Sequence, residues 1–345
     1  MKKRVMMVGS AEQSAGGVAS VIRLMKKMPF WEERRCYWLG TQIQRNYAWK
    51  LWYAVRAAVI APFIMWKYDI VHFHTTPDRN GLLIQLPQMI FAKLYGKKTI
   101  VHIHMGNQLE DHTENKFFLW WTRRANMIVL LANKWKYLFN CLFQDVNTPT
   151  EVVYNACEPV AEIDVTEKEK VIVLMAYMIE DKGIDVMLDA WQLIHLIYPE
   201  WKVYMMGSGN VEYYKAKSSM MGLDSSVIFT GYVRGNERDT ILRKASIFVM
   251  CSYAEGFPMS VLEAWAYGIS VVTTPVGGLP DVIEDTKDCL VFDFGNAKML
   301  AQRLQLIMND ERLRSNMLTY AKQKSENIFS LKSVNKYLDD LYNSL

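Results

Sequence analysis

The 345-residue chain has five cysteines (Cys36, Cys141, Cys157, Cys251 and Cys289), odd in number, scattered and without C-x-x-C spacing. That excludes a disulfide framework and a thiolate zinc site and fits a reducing compartment. Such thiols mostly serve as small buried hydrophobes. Only one stretch, 47–66, is a candidate for crossing a membrane, and Lys50, Arg56 and Pro62 break it. A spanning helix is therefore not expected there; an amphipathic surface helix or a core helix is. Met1-Lys-Lys-Arg4 has the charge of a signal-peptide start, but the apolar run after it stops at Gly9-Ser-Ala-Glu12, as a first strand would. There is no G-x-G-x-x-G and no acid closing the second strand, which disfavours a dinucleotide reductase, and no short-period repeat.

What is present is a length suited to two domains and a composition, 51% hydrophobic and 22% charged, of a folded soluble protein. The net charge of +4 is unevenly spread. Residues 1–155 carry 21 Lys and Arg against 10 Asp and Glu, whereas 156–345 carry 19 against 26, giving +11 and −7. Eight of the eleven tryptophans, Trp31 to Trp135, fall in the basic half. Tryptophan beside lysine and arginine suits an anionic membrane surface. Core or cleft positions would account for the tryptophans equally well. Nucleic acid is not an expected partner.

Apolar runs of five to eight residues alternate with longer amphipathic stretches, the pattern of a parallel sheet wrapped in helices. Strands are expected at 4–9, 35–39, 69–74, 99–104, 127–131 and 151–154, then at 171–177, 202–206, 227–230, 247–251, 270–274 and 289–292. The reading is an α/β protein of two doubly wound domains, 1–155 and 171–328. The acidic, proline-containing stretch 156–170 would join them. The tail, 300–345, reads as helical throughout, with Tyr337, Leu338, Leu341 and Tyr342 on one face.

The most informative stretch is Cys251-Ser-Tyr-Ala-Glu255-Gly-Phe257-Pro258-Met259-Ser260-Val261-Leu-Glu263-Ala-Trp-Ala-Tyr-Gly268. A buried strand leads through a turn into a helix, with Pro258 suited to the first helical position and Gly268 to the stop. The free amides of Met259, Ser260 and Val261 would form an anion site, and Glu255 and Glu263 could hold vicinal hydroxyls. Spacing alone equally allows a plain helix start with a solvated acid.

The run E-G-F-P-x-x-x-x-E, followed by Gly268-Ile-Ser-Val-Val-Thr-Thr-Pro275-Val-Gly277-Gly278, closely resembles the donor-binding signature of the GT4 family of retaining glycosyltransferases (glycosyl transferases group 1). The resemblance implies a GT-B fold: two Rossmann-like domains facing across a cleft, the last helix, 329–345, crossing back to the first domain. It implies that Glu263 holds ribose hydroxyls, Glu255 the donor sugar, and that Phe257, Pro258 and the amides after it border the diphosphate.

Other elements stand in family order. Gly16-Gly17, in a glycine-rich turn, would approach the donor phosphate and sugar, though a Gly-Gly turn can be simple helix punctuation. His72-Phe-His74 and His102-Ile-His104 end strands with both members of each pair on one face. Four histidines could suggest a metal, but no Cys or acidic set completes a site, and packing is the commoner role. By resemblance His104 is the active-site histidine bonding a donor-sugar hydroxyl. His74 and Asn155 are acceptor-side candidates, Asn155 having a turn role as its alternative. Lys182, in Glu180-Asp-Lys182-Gly183, is placed to neutralise a leaving diphosphate. The family's arginine before it is replaced by Tyr177, so either Lys182 works with the helix dipole alone or Arg234 or Arg238 substitutes. Gly207 resembles the turn bordering the nucleotide, and Tyr232 and Val233 the segment reading the base.

The expected activity is a retaining transfer of a sugar from a UDP- or GDP-sugar to a lipid-linked saccharide acceptor in bacterial surface polysaccharide synthesis. No cofactor or metal is implied, since no convincing Asp-x-Asp follows a strand. The expected location is cytoplasmic, peripheral at the inner membrane face. The alternatives are a non-catalytic nucleotide-sugar-binding partner, favoured by Tyr177, and a GT-B sugar-nucleotide epimerase.

Overall fold

The computed structural model describes residues 2–14, 16–160 and 168–345, so the middle of the expected linker, 161–167, lies outside the described residues. The chain divides into two units, Met1–Ala156 with Ile328–Leu345, and Cys157–Asn327.

The first unit is built on six parallel strands: β1 (Val5–Ser10), β2 (Tyr37–Gln42), β3 (Ile70–Thr75), β4 (Lys98–Ile103), β5 (Met127–Leu130) and β6 (Thr150–Val152). Their order is β2-β1-β3-β4-β5-β6. β1, β3 and β5 are buried along nearly their whole length, as strands with helices on both faces must be. The second strand starts two residues later than its apolar run suggests. Arg35 has a positive φ of 49°, and the Cys36 amide still bonds Trp31, so the turn ends only there.

The second unit holds β7 (Val171–Met175), β8 (Lys202–Met206), β9 (Val227–Gly231), β10 (Ile247–Met250), β11 (Ser270–Thr273) and β12 (Cys289–Val291). Their order, β12-β11-β10-β7-β8-β9, is all parallel and reverses between β7 and β10. Ligands in such sheets bind outside the strand ends at the reversal point. Trp191, Leu188 and Ile184 on one helix pack with Val203, Val249 and Leu290 in the core beneath it.

The tail is not one continuous run. Asp310 and Ser330 each cap a new helix, accepting from Leu313 N at 2.8 Å and Ser333 N at 3.1 Å, which starts Glu311–Lys324 and Leu331–Ser344. Leu331–Ser344 belongs to the first unit. Arg34, wholly buried, donates to Asp339 Oδ1 at 2.7 Å, to the Asp339 carbonyl at 2.9 Å and to Asn343 Oδ1 at 2.6 Å. The buried face is Val334, Leu338, Leu341 and Tyr342; Tyr337 points outward to Glu151 instead.

The stretch expected as either a surface or a core helix is the surface helix Tyr47–Ile64, capped by Asn46. Only Ala57 and Ala61 are buried, because small residues let the helix lie close on the sheet edge. The outward face is apolar rather than polar: Trp52, Val59, Phe63 and the following Trp66 are each more than half exposed. The tryptophans of the basic half divide, with Trp31, Trp121 and Trp135 in the core and Trp49, Trp52 and Trp66 exposed.

Candidate functional site

At the reversal point of the second sheet, the chain leaves β7 through a turn that closes on Gly183. Its φ of +63° is left-handed, and an added Cβ would stand 2.3 Å from the Cys251 carbonyl oxygen. Only glycine lets this turn lie against the end of β10. The close approach sets Lys182 Nζ 2.5 Å from Glu255 Oε1 and 3.5 Å from the Ala254 carbonyl. Both side chains keep about a fifth of their surface open, 22% each. Gly277 braces the other side, its φ of +66° placing the missing Cβ 2.8 Å from the Glu255 carbonyl.

Pro258 stands one residue before the helix Met259–Ala266, in extended geometry, rather than at its first position. No side chain caps this helix start, so its first amides are left for water or a ligand. The side chains of Phe257 and Val261 are buried, leaving only their backbone to face a ligand. Gly268, at φ +60°, ends the helix, its amide bonding Trp265 O while that of Ile269 bonds Ala264 O.

Beside these groups lies a cavity of about 210 Å³ lined by Met175, Ala176, Tyr177, Lys182, Glu255 and Ser260 among others. Tyr177 is exposed there. Arg238, from the helix Gly235–Lys244, reaches the same sheet end: its Nη2 lies 2.6 Å from Glu263 Oε2 and 3.8 Å from Met175 Sδ. Arg234 instead lies over the Tyr232 ring, 4.5 Å from its centroid. Of the two candidate arginines, the structure brings Arg238 to the carboxylate wall. Burial pushes the Glu263 carboxyl up from its usual range, and the Arg238 guanidinium opposes that. Gly207, at φ +152°, holds the β8 turn so tightly to the β7 turn that a Cβ would meet the Ala176 carbonyl at 1.7 Å. Tyr232 is exposed and Val233 buried.

In the first unit, Gly16 has a φ of +108°, and Gly17 opens the helix Gly17–Lys26 with nothing within 4 Å of where its Cβ would be. The space over Gly17 is open; Ala15 lies outside the described residues. His72, His74, His102 and His104 form one stacked array across β3 and β4. Neighbours along each strand have ring centroids 4.4 Å apart and the cross-strand pairs 5.0 to 5.3 Å. Parallel register, with His74 paired to His102, is what aligns the rings. His74 Nδ1 lies 2.9 Å from His104 Nε2, and His72 bridges Tyr342 OH at 2.8 Å and His102 Nδ1 at 3.2 Å. Burial holds all four basicities well down, that of His104 to about 3, so the imidazoles are neutral at neutral pH. His104 is the most open at 7%, whereas His74, a candidate for lining an acceptor cleft, is 1% exposed and sits against His104 instead. Asn155 is buried near the end of this unit.

The cross-strand stacking was not visible from either His-x-His pair alone; the signal was that both pairs end strands that are neighbours in the sheet. The Arg238–Glu263 pair had no spacing signature at all, since 25 residues and two elements separate its members.

Residues 160–324 match the family model described as glycosyl transferases group 1. An uncharacterized glycosyltransferase of Methanocaldococcus jannaschii is 26% identical over 270 residues, 75% of this chain and 70% of its own. One from Haemophilus influenzae is 26% identical over 204 residues, covering 59% and 57%. The N,N'-diacetylbacillosaminyl-diphospho-undecaprenol alpha-1,3-N-acetylgalactosaminyltransferase of Campylobacter jejuni is 38% identical over 101 residues, 28% of this chain and 27% of that one. The matches thus span from about a quarter to just over two thirds of these relatives' lengths. Among solved structures, Anabaena HepE in complex with UDP superposes with a TM-score of 0.78 at 14% identity, covering 99% of this chain and 100% of that one. The sucrose-phosphate synthase of Thermosynechococcus elongatus gives 0.79 at 14% identity, with 99% of each covered. These likenesses bear out the fold, two Rossmann-like units of the GT-B type. The switch-point lysine and glutamate and the uncapped helix start all lie inside the segment, residues 160–324, that matches the glycosyl transferases group 1 model.

Proposed function

We propose that this chain is a retaining, metal-independent glycosyltransferase that moves a sugar from a UDP- or GDP-sugar to a lipid-linked saccharide in bacterial surface polysaccharide synthesis. The carrying observation is the Lys182–Glu255 pair at the reversal point of the second sheet, beside an uncapped helix start. A diphosphate leaving group needs fixed positive charge where its negative charge grows. Lys182, Arg238 and the amides of Met259, Ser260 and Val261 supply it, Arg238 standing in for the arginine that Tyr177 replaces. These fixed groups do the work of a divalent cation, so transfer should persist in EDTA. Glu255 holds Lys182 until the donor arrives, then accepts from donor-sugar hydroxyls. Glu263, paired with Arg238, accepts from the ribose hydroxyls. Gly16 and Gly17 admit the donor's phosphate and sugar, and His104 bonds a sugar hydroxyl beside the reacting carbon. UDP in the HepE complex and the undecaprenol acceptor named for the Campylobacter relative support the donor and acceptor classes.

The deciding experiment incubates the protein with labelled UDP- and GDP-sugars, with and without membrane-extracted acceptor lipids. Nucleotide binding without turnover on every combination would establish the non-catalytic partner that Tyr177 suggests. In the same samples Glu263→Ala should weaken nucleotide binding by roughly 10-fold or more, the loss of a charge-assisted pair of hydrogen bonds. Unchanged affinity, read by calorimetry with UDP and GDP, refutes the ribose role.

The reading also includes peripheral attachment at the cytoplasmic membrane face, through the Tyr47–Ile64 helix. Its exposed aromatics resemble an interfacial anchor, Lys50, Arg56 and Lys67 accompany them, and no acid occurs between Glu33 and Asp69. Phosphatidylglycerol vesicles should sediment the protein at low salt and less at high salt, with Trp52→Glu/Phe63→Glu abolishing the effect. Failure to bind at either salt removes the attachment.

A further inference from the structure

Resting on the role proposed for His104, we infer that His74 is a positioning residue that fixes His104 as the tautomer carrying its proton on Nδ1. The pair is joined by one hydrogen bond, His74 Nδ1 to His104 Nε2 at 2.9 Å, and one proton lies in it. Two arrangements are open. In the first, His74 donates: its proton is on Nδ1, its Nε2 is a bare lone pair, and His104 accepts on Nε2 and keeps its own proton on Nδ1. In the second, His104 donates from Nε2, and the proton of His74 is forced onto its Nε2.

The surroundings of His74 Nε2 choose between them. That atom is fully buried and has no hydrogen-bond partner among the described residues. A buried N–H without an acceptor is rarer and costlier than an acceptor lacking a donor. Each arrangement leaves one proton and one lone pair unmatched, but the first buries only the lone pair, on His74 Nε2, and puts the proton on Nδ1 of the more open His104 ring, whereas the second buries the proton on His74 Nε2. The neighbouring column offers no such choice. Tyr342 OH, His72 and His102 hold one unmatched proton whichever way they point, on the phenol or on the orphaned His102 Nε2. The direction is therefore set only in the column that ends at His104.

Neutrality is what makes a tautomer meaningful here. Burial keeps His104 uncharged, so it offers one donor and one acceptor, and His74 occupies the acceptor. Nδ1 of His104 makes no hydrogen bond to any described residue, and it belongs to the most open ring of the four. What His104 presents is then an N–H donor suited to a sugar oxygen, not a base that could take a proton from a hydroxyl. His74 is the first residue behind it, and Gln85 Nε2 donates to the His74 carbonyl at 3.0 Å, fixing the strand that carries it.

The test is selective ¹⁵N-histidine labelling of the whole protein, with long-range ¹H–¹⁵N correlation spectra to locate each ring proton. His104 is assigned by its loss in His104→Ala. The wild-type chain should show His104 and His74 both protonated on Nδ1; an Nε2-protonated His104 overturns the inference whatever the activity. In His74→Leu the His104 signal should lose its single-tautomer pattern and kcat for the accepted sugar nucleotide should fall roughly 10- to 100-fold, with KM moving less. His74→Asn keeps a donor nitrogen near Nδ1 and should recover both the spectrum and most of the rate. Should His104→Ala leave transfer intact while the spectra show Nδ1 protonation, the catalytic reading of His104 fails and the tautomer assignment stands.

Discussion

Lowering the pH from 8 to 5.5 is expected to remove about 6 kcal/mol from the stability of the first unit, on the scale of a whole domain's net stability. The cause is the histidine array. All four rings are buried, and desolvation first, then mutual repulsion for His72, His74 and His102, holds their folded-state basicity far below the ordinary value of 6.5. In the unfolded chain each regains that ordinary value. Between the two, the unfolded state binds more protons, so stability rises with pH and falls as pH drops below about 6.5. The groups around the array do not reverse the sign. His72 meets Tyr342 OH at 2.8 Å, and the Arg34 guanidinium lies over the Tyr342 ring, 5.3 Å from its centroid, rather than against an imidazole. No carboxylate hydrogen-bonds any of the four rings among the described residues. Each ring contributes about 1.4 kcal/mol at pH 5.5, four of them about 6. The second unit has no buried histidine among the described residues, so this array is confined to the first unit. Urea titrations at pH 8, 6.5 and 5.5, followed by hydrogen exchange resolved to each unit, check it. A first unit equally stable at pH 8 and 5.5 contradicts a buried neutral array.

Replacing Lys182 with alanine is expected to cut the rate of sugar transfer by roughly 10²- to 10³-fold, about 3–4 kcal/mol of transition-state stabilisation. Stability should barely change, since partly exposed ion pairs contribute about 0–1 kcal/mol. The split follows from position. Lys182 is held 2.5 Å from Glu255 by a turn that only Gly183 permits, so its charge is fixed before the donor binds. Lys182→Arg, with its bulkier head, should restore part of the rate. Glu255→Gln separates the two partners: it leaves the cation in place but replaces a charged acceptor for sugar hydroxyls with one weaker amide oxygen and a donor, so KM for the donor should rise more than nucleotide affinity falls. Initial rates with the accepted donor and melting midpoints decide it. A Lys182→Ala protein within a few-fold of wild type would show that Arg238 and the helix amides suffice.

The sequence was most legible where one local rule acts alone. Each of the twelve strands is an apolar run between turn residues, and each is found within a few residues of its expected ends. Glu255 and Glu263 were legible because strand, turn and helix follow each other without interruption. Boundaries moved where backbone geometry overrode the apolar pattern, as at Arg35 and Pro258. What could not be read were meetings between distant segments: Arg238 with Glu263, Arg34 with Asp339, and the direction of the hydrogen bond between His74 and His104. These depend on sheet order and register, which no local window contains. The tail's buried face differs at one of its four members for the same reason, since Val334 is buried and Tyr337 lies half exposed against Glu151.

The return of Leu331–Ser344 to the first unit also sets the order in which the protein can be completed during its synthesis. The first 156 residues emerge with Arg34 and His72 lacking Asp339, Asn343 and Tyr342, and the 171 residues of the second unit must be made before those partners exist. At typical elongation rates the interval is about 10–30 s, far longer than a domain needs to collapse. For that time the Arg34 guanidinium keeps only the Lys3 carbonyl of the partners it has in the finished fold. The ribosome thus releases the two units in the reverse of their order of completion: the one begun first is the one finished last.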